Sequence, residues 1–168
     1  FELGSGTGCI ALELARYFPN AKVYSWDINP KAIACSNQNK KMHNLPNVEF
    51  LSGDYFEGKA YRDALMLDCK YPFSIISNPP YISEDLYNEL DASVFKYEDK
   101  AALVGENNGV YFYEQLMRYH GRYADYYIFE IGYDQKESIH GLSKQFLNSD
   151  FSCIKDMNQK DRVIVLKT

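Results

Sequence analysis

The chain has 168 residues, of which 46% are hydrophobic, and this favours one folded domain with its own core over a disordered segment. Its formal net charge of -5 provides no positive surface for nonspecific binding of nucleic acid. No hydrophobic run is long enough to cross a membrane and no signal peptide precedes the first motif, so we expect a cytoplasmic protein.

The cysteines and histidines argue against a disulfide framework and a metal centre. The four cysteines form no C-x-x-C pair and, without a secretory signal, are expected to be reduced thiols. The three histidines lack metal-ligand spacing, so no metal is expected, and each is placed at the surface or at a helix end. They are His43, His120 and His140.

Strand-like and helix-like segments alternate in the first half of the chain, as in a mostly parallel sheet covered by helices. The sequence predicts a helix over residues 9–18, a strand over 22–26, a helix from Asn29 and strands over 48–52 and 73–77. Asn29 fits an N-cap and Pro30 the first helical position. Only three residues precede the first glycine, so we expect a truncated first strand.

The second half begins with a polar and aromatic stretch over residues 82–108, and loops of that length in compact domains are usually functional. Helices are predicted over residues 109–119 and 135–147, with a fifth strand over 126–131 between them. Two final strands, over 151–155 and 162–166, would form a hairpin that adds an antiparallel strand at one side of the sheet.

A glycine-rich turn, G-x-G-x-G, contains Gly4, Gly6 and Gly8 and is followed at once by a predicted helix. Glycines permit positive φ and let a ligand approach the backbone closely. The spacing differs from the G-x-G-x-x-G of dinucleotide enzymes, and the Gly-Lys-Ser/Thr of a P-loop is absent. The turn is therefore interpreted as a binding site for another nucleotide-like cofactor; the alternative is that the glycines only form a tight turn.

Two acidic residues end the second and third predicted strands. Asp27, nineteen residues after the last glycine, can accept hydrogen bonds from two ribose hydroxyls, and Asp54 or its neighbours can meet an adenine. Ligands in such folds bind beyond the carboxyl ends of the strands, where both aspartates are expected. We include Ile28 and Tyr55 among the predicted contacts; the alternative is that Asp27 only caps the helix near Asn29.

A second turn, Asn78-Pro79-Pro80-Tyr81, follows the fourth predicted strand. In an amide or aromatic amine the nitrogen lone pair is delocalised, and two acceptors that hold the NH2 hydrogens can orient it for methyl transfer. The Asn78 side-chain oxygen and the Pro79 carbonyl supply these acceptors. Pro79 and Pro80 add no competing N–H and stiffen the turn, while Tyr81 can pack on a planar substrate group. The alternative is a Pro-Pro turn that merely ends a strand.

Together the two turns predict a methyltransferase that uses S-adenosylmethionine and acts on an amide or an exocyclic amine. The sequence contains no evident Ser-His-Asp or Cys-His arrangement and no carboxylate pair clearly placed for hydrolysis. Two further hypotheses remain open. One is a methyltransferase for adenine or guanine amines in DNA or RNA, with the base flipped onto Tyr81, and the other is a noncatalytic cofactor-binding module.

Five stretches carry a family resemblance. They are L-G-S-G-T-G-C-I-A at 3–11, I-S-N-P-P-Y-I at 76–82, Y-E-D-K-A-A-L at 97–103, E-I-G-Y-D-Q at 130–135, and K-D with D-R-V between 155 and 163. The chain resembles, over its whole length, the catalytic domain of the HemK/PrmC family, the release-factor glutamine methyltransferases. The first two stretches are shared with amine methyltransferases of DNA and RNA, and the last three are more particular to the family.

The resemblance implies a Rossmann-like, seven-stranded class I S-adenosylmethionine-dependent methyltransferase fold, α/β and mostly parallel, with an antiparallel last strand. It also implies a separate N-terminal helical domain, absent from residues 1–168, that helps to bind the release factor. The implied substrate is the glutamine of the Gly-Gly-Gln loop of bacterial release factors, methylated at its side-chain nitrogen. The protein is expected to act as a monomer, without membrane or nucleic acid.

The resemblance also bears on single residues. The family usually has Asp where this chain has Glu2, and Pro where it has Asp99; the carboxylate at residue 2 is expected to keep its part in cofactor binding. Glu98 and Glu130 are expected to support the site. The expected catalytic residues are Asn78, Pro79 and Tyr81, and Pro80 joins them in binding substrate. The expected cofactor contacts are Glu2, Gly4, Gly6, Gly8, Asp27, Ile28, Asp54, Tyr55 and Asn78.

Overall fold

A computed structural model describes residues 1–57, 72–88, 90–91 and 100–168. The expectations for Cys69, Glu98 and Asp99 lie outside these residues. The chain divides into two compact units, residues 1–71 and 72–168. Its strands belong to a seven-stranded mixed sheet, to which the first unit contributes three strands and the second four.

The first unit consists of three parallel strands and two helices. Its elements are β1 (Glu2–Leu3), α1 (Cys9–Tyr17), β2 (Val23–Asp27), α2 (Pro30–His43) and β3 (Val48–Ser52). The strands lie in the order β3-β2-β1, in a register that places Leu3 beside Trp26 and Asp27 beside Ser52. The carboxyl ends of β1, β2 and β3 therefore lie at one edge of these strands. The glycine turn, Asp27 and Asp54 are found at this edge.

The core of the first unit lies between α1 and the sheet. Ala11, Leu12 and Ala15 form one face of α1, and they pack against Val23 of β2 and the apolar side chains of β3. Asn29 is the N-cap of α2, as predicted, and its side chain accepts a hydrogen bond from the backbone N–H of Lys31.

The second unit contains four strands and five helices among its described residues. They are β4 (Phe73–Ser77), α3 (Glu84–Asn88), α4 (Lys100–Leu103), α5 (Glu106–Gly109), α6 (Tyr111–His120), β5 (Ala124–Glu130), α7 (Lys136–Phe146), β6 (Asp150–Lys155) and β7 (Asp161–Lys167). Their strand order is β4-β5-β7-β6, with β4 and β5 parallel and β7 antiparallel to both its neighbours. The predicted mostly parallel sheet with an antiparallel last strand is confirmed.

Two predictions for the second unit were wrong in detail. The stretch over residues 82–108, predicted as a loop, contains three short helices, α3, α4 and α5. The next helix begins at Tyr111 and not at Gly109, because Gly109 has a φ of +76° that no right-handed helix continues through. Gly109 instead ends α5, and this difference matters for the site.

The histidines and cysteines have packing roles. His120 ends α6, as expected, but is buried, and His140 lies within α7 with its ring 4.3 Å from that of Phe151. Cys9, Cys35 and Cys153 are free thiols. Within the described part of the chain, no group of three or more His, Cys, Asp or Glu side chains could hold a metal ion, and no helix is long and apolar enough to cross a membrane.

Candidate active site

The glycine turn after β1 has the backbone geometry that its glycines predict. Gly4, Gly6 and Gly8 have φ of +76°, +51° and +87°, in the left-handed region that other residues rarely adopt. A Cβ atom at Gly6 would meet no described atom within 4 Å. The main chain is therefore open to a ligand at Gly6, as the binding of a nucleotide-like cofactor requires.

Gly8 is required for a different reason, which is packing. A Cβ atom at this position would lie 2.9 Å from the ring of Phe50 in β3 and 3.0 Å from Cβ of Ser36 in α2. Gly8 is also the N-cap of α1. Gly8 therefore lets α1 begin close against Phe50 and Ser36. This packing explains the glycine at this position without a contact to a ligand.

Asp27 connects the glycine turn to the start of α2. Its Oδ2 accepts a hydrogen bond of 2.8 Å from the backbone N–H of Gly6, and its Oδ1 accepts one of 2.8 Å from that of Asn29. The alternative interpretation, in which Asp27 organises the helix start, is thus part of the structure. The same carboxylate also holds the open backbone segment at Gly6. Under either interpretation, Asp27 therefore stabilises the conformation of the glycine turn.

The other predicted cofactor contacts in this unit differ in accessibility. Ile28, directly after β2, is 69% exposed, so its side chain is accessible to a ligand. Asp54 accepts a hydrogen bond of 2.7 Å from the backbone N–H of Phe56 through one oxygen. Tyr55 is buried, and its ring packs edge-on against Trp26 at 5.0 Å. The side chain of Tyr55 is therefore a core element, in contrast to that of Ile28.

Glu2 is also placed in the interior. Its side chain is 1% exposed and accepts a hydrogen bond of 2.5 Å from the hydroxyl of Ser25, its neighbour on β2. Burial raises the pKa of Glu2 from its ordinary value to about 7, and the bond from Ser25 only partly offsets this. The structure therefore gives Glu2 a partner within the sheet and no exposed surface for a ligand.

The Asn-Pro-Pro-Tyr turn directly follows β4 in the second unit. Asn78 is exposed, and its side-chain amide has no hydrogen-bond partner among the described residues. Pro79 is buried and Pro80 partly buried. An exposed amide on a turn that is fixed by two prolines is available to a substrate without first breaking an internal hydrogen bond.

Tyr81 is held at its hydroxyl by two charged residues. The hydroxyl donates to Oε1 of Glu130 at 3.2 Å and accepts from Nη1 of Arg162 at 3.4 Å. Burial raises the pKa of Tyr81, the Glu130 carboxylate raises it further, and Arg162 partly opposes this. The phenol therefore stays protonated and continues to donate to Glu130.

The two charged residues are fixed in turn. Nη1 of Arg162 donates to the carbonyl of Ile131 at 3.1 Å, and its Nη2 lies 3.4 Å from Oδ2 of Asp156. The hydroxyl of Tyr113 donates to the carbonyl of Glu130 at 2.7 Å. Glu130 therefore contacts the Asn-Pro-Pro-Tyr turn, where a residue that supports the site was expected.

The backbone of the turn is clamped by the segment that was predicted to be a loop. A Cβ atom at Gly105 would lie 2.2 Å from the carbonyl oxygen of Pro80, and one at Gly109 would lie 1.9 Å from that of Tyr81. In addition, the N–H of Ile82 donates to the carbonyl of Leu103 at 2.9 Å. Only glycines permit this approach, so the segment around α4 and α5 determines the conformation of the turn.

Several residues of this arrangement had no role assigned from the sequence. They are Gly105, Gly109, Tyr113, Gln135 and Arg162. Gln135 and Arg162 lie in motifs that carry the family resemblance, and that was the signal available for them. Three motifs that lie far apart in sequence each supply a residue that contacts the 78–82 turn or its supports. They are the motifs over residues 97–103, 130–135 and 155–163.

Comparison with known proteins decides the family. A family model described as a methyltransferase domain matches residues 1–91. The chain belongs to this methyltransferase family. It is 36% identical to the release factor glutamine methyltransferase of Fusobacterium nucleatum subsp. nucleatum, over 99% of this chain and 46% of that protein. It is 35% identical to the protein of the same name from Aquifex aeolicus, over 98% of this chain and 57% of that protein.

These relatives confirm the resemblance to the HemK/PrmC methyltransferases that the motifs indicated. The chain spans about half the length of the curated relatives it matches. Among solved structures, the hMettl16 catalytic domain, in complex with the MAT2A 3'UTR hairpin 1, superposes with a TM-score of 0.68 at 10% identity, over 99% of this chain and 62% of that one. A methyltransferase from Pyrococcus furiosus gives 0.62 at 15% identity, over 99% and 73%. The fold is the class I methyltransferase fold.

Proposed function

We propose that the chain is the catalytic part of an S-adenosylmethionine-dependent methyltransferase that modifies the side-chain amide nitrogen of a glutamine. The acceptor is the glutamine of the Gly-Gly-Gln motif in bacterial peptide chain release factors. The observation that carries this proposal is the exposed amide of Asn78, which has no hydrogen-bond partner among the described residues and lies on a turn contacted by the three motifs of the family resemblance.

The first unit fits the methyl donor. Open backbone at Gly6, the carboxylate of Asp27 beside it and the exposed side chain of Ile28 offer a surface for the nucleoside of S-adenosylmethionine. Gly4 shapes the turn, and Asp54 lies two residues after the end of β3. Bound there, the cofactor supplies an electrophilic methyl group on a positively charged sulfur.

The second unit fits the acceptor. The Asn78 side-chain oxygen and the Pro79 carbonyl accept the two amide hydrogens, while Tyr81 borders the planar group. The cofactor would supply its methyl group to the glutamine nitrogen, and the new bond from nitrogen to carbon would replace the bond from carbon to sulfur, which would leave a neutral thioether. The positively charged nitrogen then loses its extra proton to water. No side chain acts as general base in this scheme, because the methylated nitrogen is far more acidic than the free amide.

The proposal extends to the partner and to the rest of the protein. A release factor is the protein substrate, met in the cytoplasm, and a helical domain outside residues 1–168 helps to bind it. The curated relatives are about twice as long as this chain, which leaves room for such a domain. An amine of DNA or RNA is less well supported as acceptor, because the formal net charge of -5 does not favour a phosphate backbone.

The test is peptide mass spectrometry on a bacterial release factor incubated with the full-length parent protein and S-adenosylmethionine. We expect one added methyl on the Gly-Gly-Gln glutamine, which is lost with Asn78→Ala. The matched control is Asn88→Ala, since Asn88 is an exposed asparagine whose side chain donates to the carbonyl of Glu84 in the same helix. An unmodified glutamine, with cofactor binding confirmed, would contradict the proposal and direct attention to nucleic-acid amines.

A further inference from the structure

Gln135, the residue directly before α7, bridges two segments of the second unit with its side-chain amide. Its Oε1 accepts a hydrogen bond of 2.9 Å from the backbone N–H of Gly132, and its Nε2 donates one of 2.8 Å to the carbonyl of Tyr81. The side chain is buried, with 6% of the residue exposed. A buried amide satisfied at both ends has one strongly favoured position.

The surroundings leave room for this amide and for little else. A Cβ atom at Gly109 would lie 2.6 Å from Nε2 of Gln135, and one at Gly132 would lie 3.2 Å from its Oε1. Both glycines therefore permit the bridge. A carboxylate in the same place would put an oxygen, which can only accept, against the carbonyl oxygen of Tyr81. A shorter amide side chain would not reach both Gly132 and Tyr81.

We propose that Gln135 is a positioning residue for methyl transfer, which acts through the Tyr81 carbonyl on the two acceptors of the turn. This inference rests on the proposed function of the 78–81 turn. Tyr81 is held at its hydroxyl by Glu130 and Arg162 and at its carbonyl by Gln135, so its side chain and its backbone are both fixed.

The two prolines connect Tyr81 rigidly to the two acceptors, the Pro79 carbonyl and the Asn78 side chain. Their rings fix φ at Pro79 and Pro80, which leaves few free torsions between the Tyr81 carbonyl and the Pro79 carbonyl. A shift of Tyr81 therefore moves the Pro79 acceptor and the neighbouring Asn78. A misplacement of about 1 Å in such a site can cost roughly 100-fold in rate.

The experiment uses the full-length parent protein with Gln135→Met, which keeps the length but removes both hydrogen bonds, and Gln135→Glu, which keeps the acceptor and removes the donor. The matched control is Ser143→Ala. Ser143 is a buried polar residue of the helix that follows Gln135, and its hydroxyl donates to the carbonyl of His140 in the same helix. Turnover is measured per folded molecule, together with the KM for release factor, the Kd for cofactor and the Tm.

For both Gln135 variants we expect kcat to fall by about 10- to 100-fold with the cofactor Kd unchanged within about twofold. The Ser143→Ala control is expected to lose stability but to keep its kcat. A wild-type kcat in Gln135→Met, or an equal loss of kcat in Ser143→Ala, would overturn the positioning role.

Hydrogen exchange separates this inference from the proposed function. If the wild-type protein leaves the release factor unmodified, the proposed function fails, and the exchange rate of the Ile82 amide still decides the inference. That amide donates to Leu103 only while the turn keeps its place. Faster exchange in Gln135→Met but not in Ser143→Ala supports the hold on Tyr81, and equal rates in both variants refute it.

Discussion

Replacing Asp27 by alanine tests whether this one carboxylate holds the glycine turn in the form that a cofactor needs. The substitution removes two hydrogen bonds of 2.8 Å, from Gly6 and from Asn29. A hydrogen bond to a charged group contributes about 1.5–3 kcal/mol, and partial exposure places these two toward the lower end. We expect the free energy of unfolding to fall by about 3 kcal/mol and the Kd for S-adenosylmethionine to rise roughly 5- to 150-fold, equivalent to about 1–3 kcal/mol.

The assay combines calorimetric titration of the cofactor with urea unfolding of the same preparations. Asp27→Asn adds a graded perturbation, because an amide has one acceptor oxygen and can satisfy only one of the two N–H groups. Its effects should lie between those of wild type and alanine. Asn29→Ala is the control. It removes the N-cap hydrogen bond from the backbone N–H of Lys31, at a cost of about 1 kcal/mol, and leaves the bond between Asp27 and Gly6 intact.

The two measurements can refute two different claims. An unchanged Kd in Asp27→Ala would remove Asp27 from the cofactor site. An unchanged unfolding midpoint would show that the bonds to Gly6 and Asn29 do not organise the turn. If Asn29→Ala weakens cofactor binding as much as Asp27→Ala does, the loss reflects the start of α2 and not the carboxylate.

Three further predictions concern both units. Asn78→Ala should keep the cofactor Kd and lose most turnover; unchanged turnover in a single-turnover assay would exclude it as an acceptor of the amide hydrogens. Gly109→Ala should lower Tm and turnover together, because its φ of +76° and the carbonyl of Tyr81 both oppose a side chain; an unaltered melting curve would contradict this. The pKa of Glu2 in the folded protein is about 7, above the ordinary pKa of a glutamate. As the pH rises from that ordinary pKa toward 7, the free energy of unfolding should therefore decrease by about 3 kcal/mol, and above pH 7 it should level off. Glu2→Gln should remove this dependence in urea titrations at pH 5 and pH 8, and an equal pH dependence in both proteins would show that Glu2 is not its source.

The sequence was most informative where the signal is local. The strands over 48–52 and 73–77 have the predicted bounds, and Asn29 is the predicted cap, because hydrophobic runs and capping residues act over a few positions. The glycine turn was recognised for the same reason. Each of these features is determined by neighbours in the chain.

The supports of the Asn-Pro-Pro-Tyr turn could not be predicted in this way. Arg162 and Gln135 reach Tyr81 across 81 and 54 residues, and residue periodicity contains no information about such contacts. Glu2 was expected to take part in cofactor binding; its burial beside Ser25 could not be predicted, because a strand of two residues is too short to show its alternation. The short helices of 82–108 are held by tertiary contacts with the turn, which propensity does not reveal.

Under the proposed function, the residues that bind the methyl donor and those that bind the acceptor lie in different parts of the sequence. Except for Asn78, the proposed cofactor contacts all precede residue 72, and the acceptor turn with its supports lies after it. The general methyltransferase model ends at residue 91, soon after the turn, whereas similarity to the release factor enzymes continues over 99% of the chain. Under the proposed function, mutations in the later part could change which molecule is methylated and leave the binding of the methyl donor unaltered, a route by which one ancestral fold could acquire many targets.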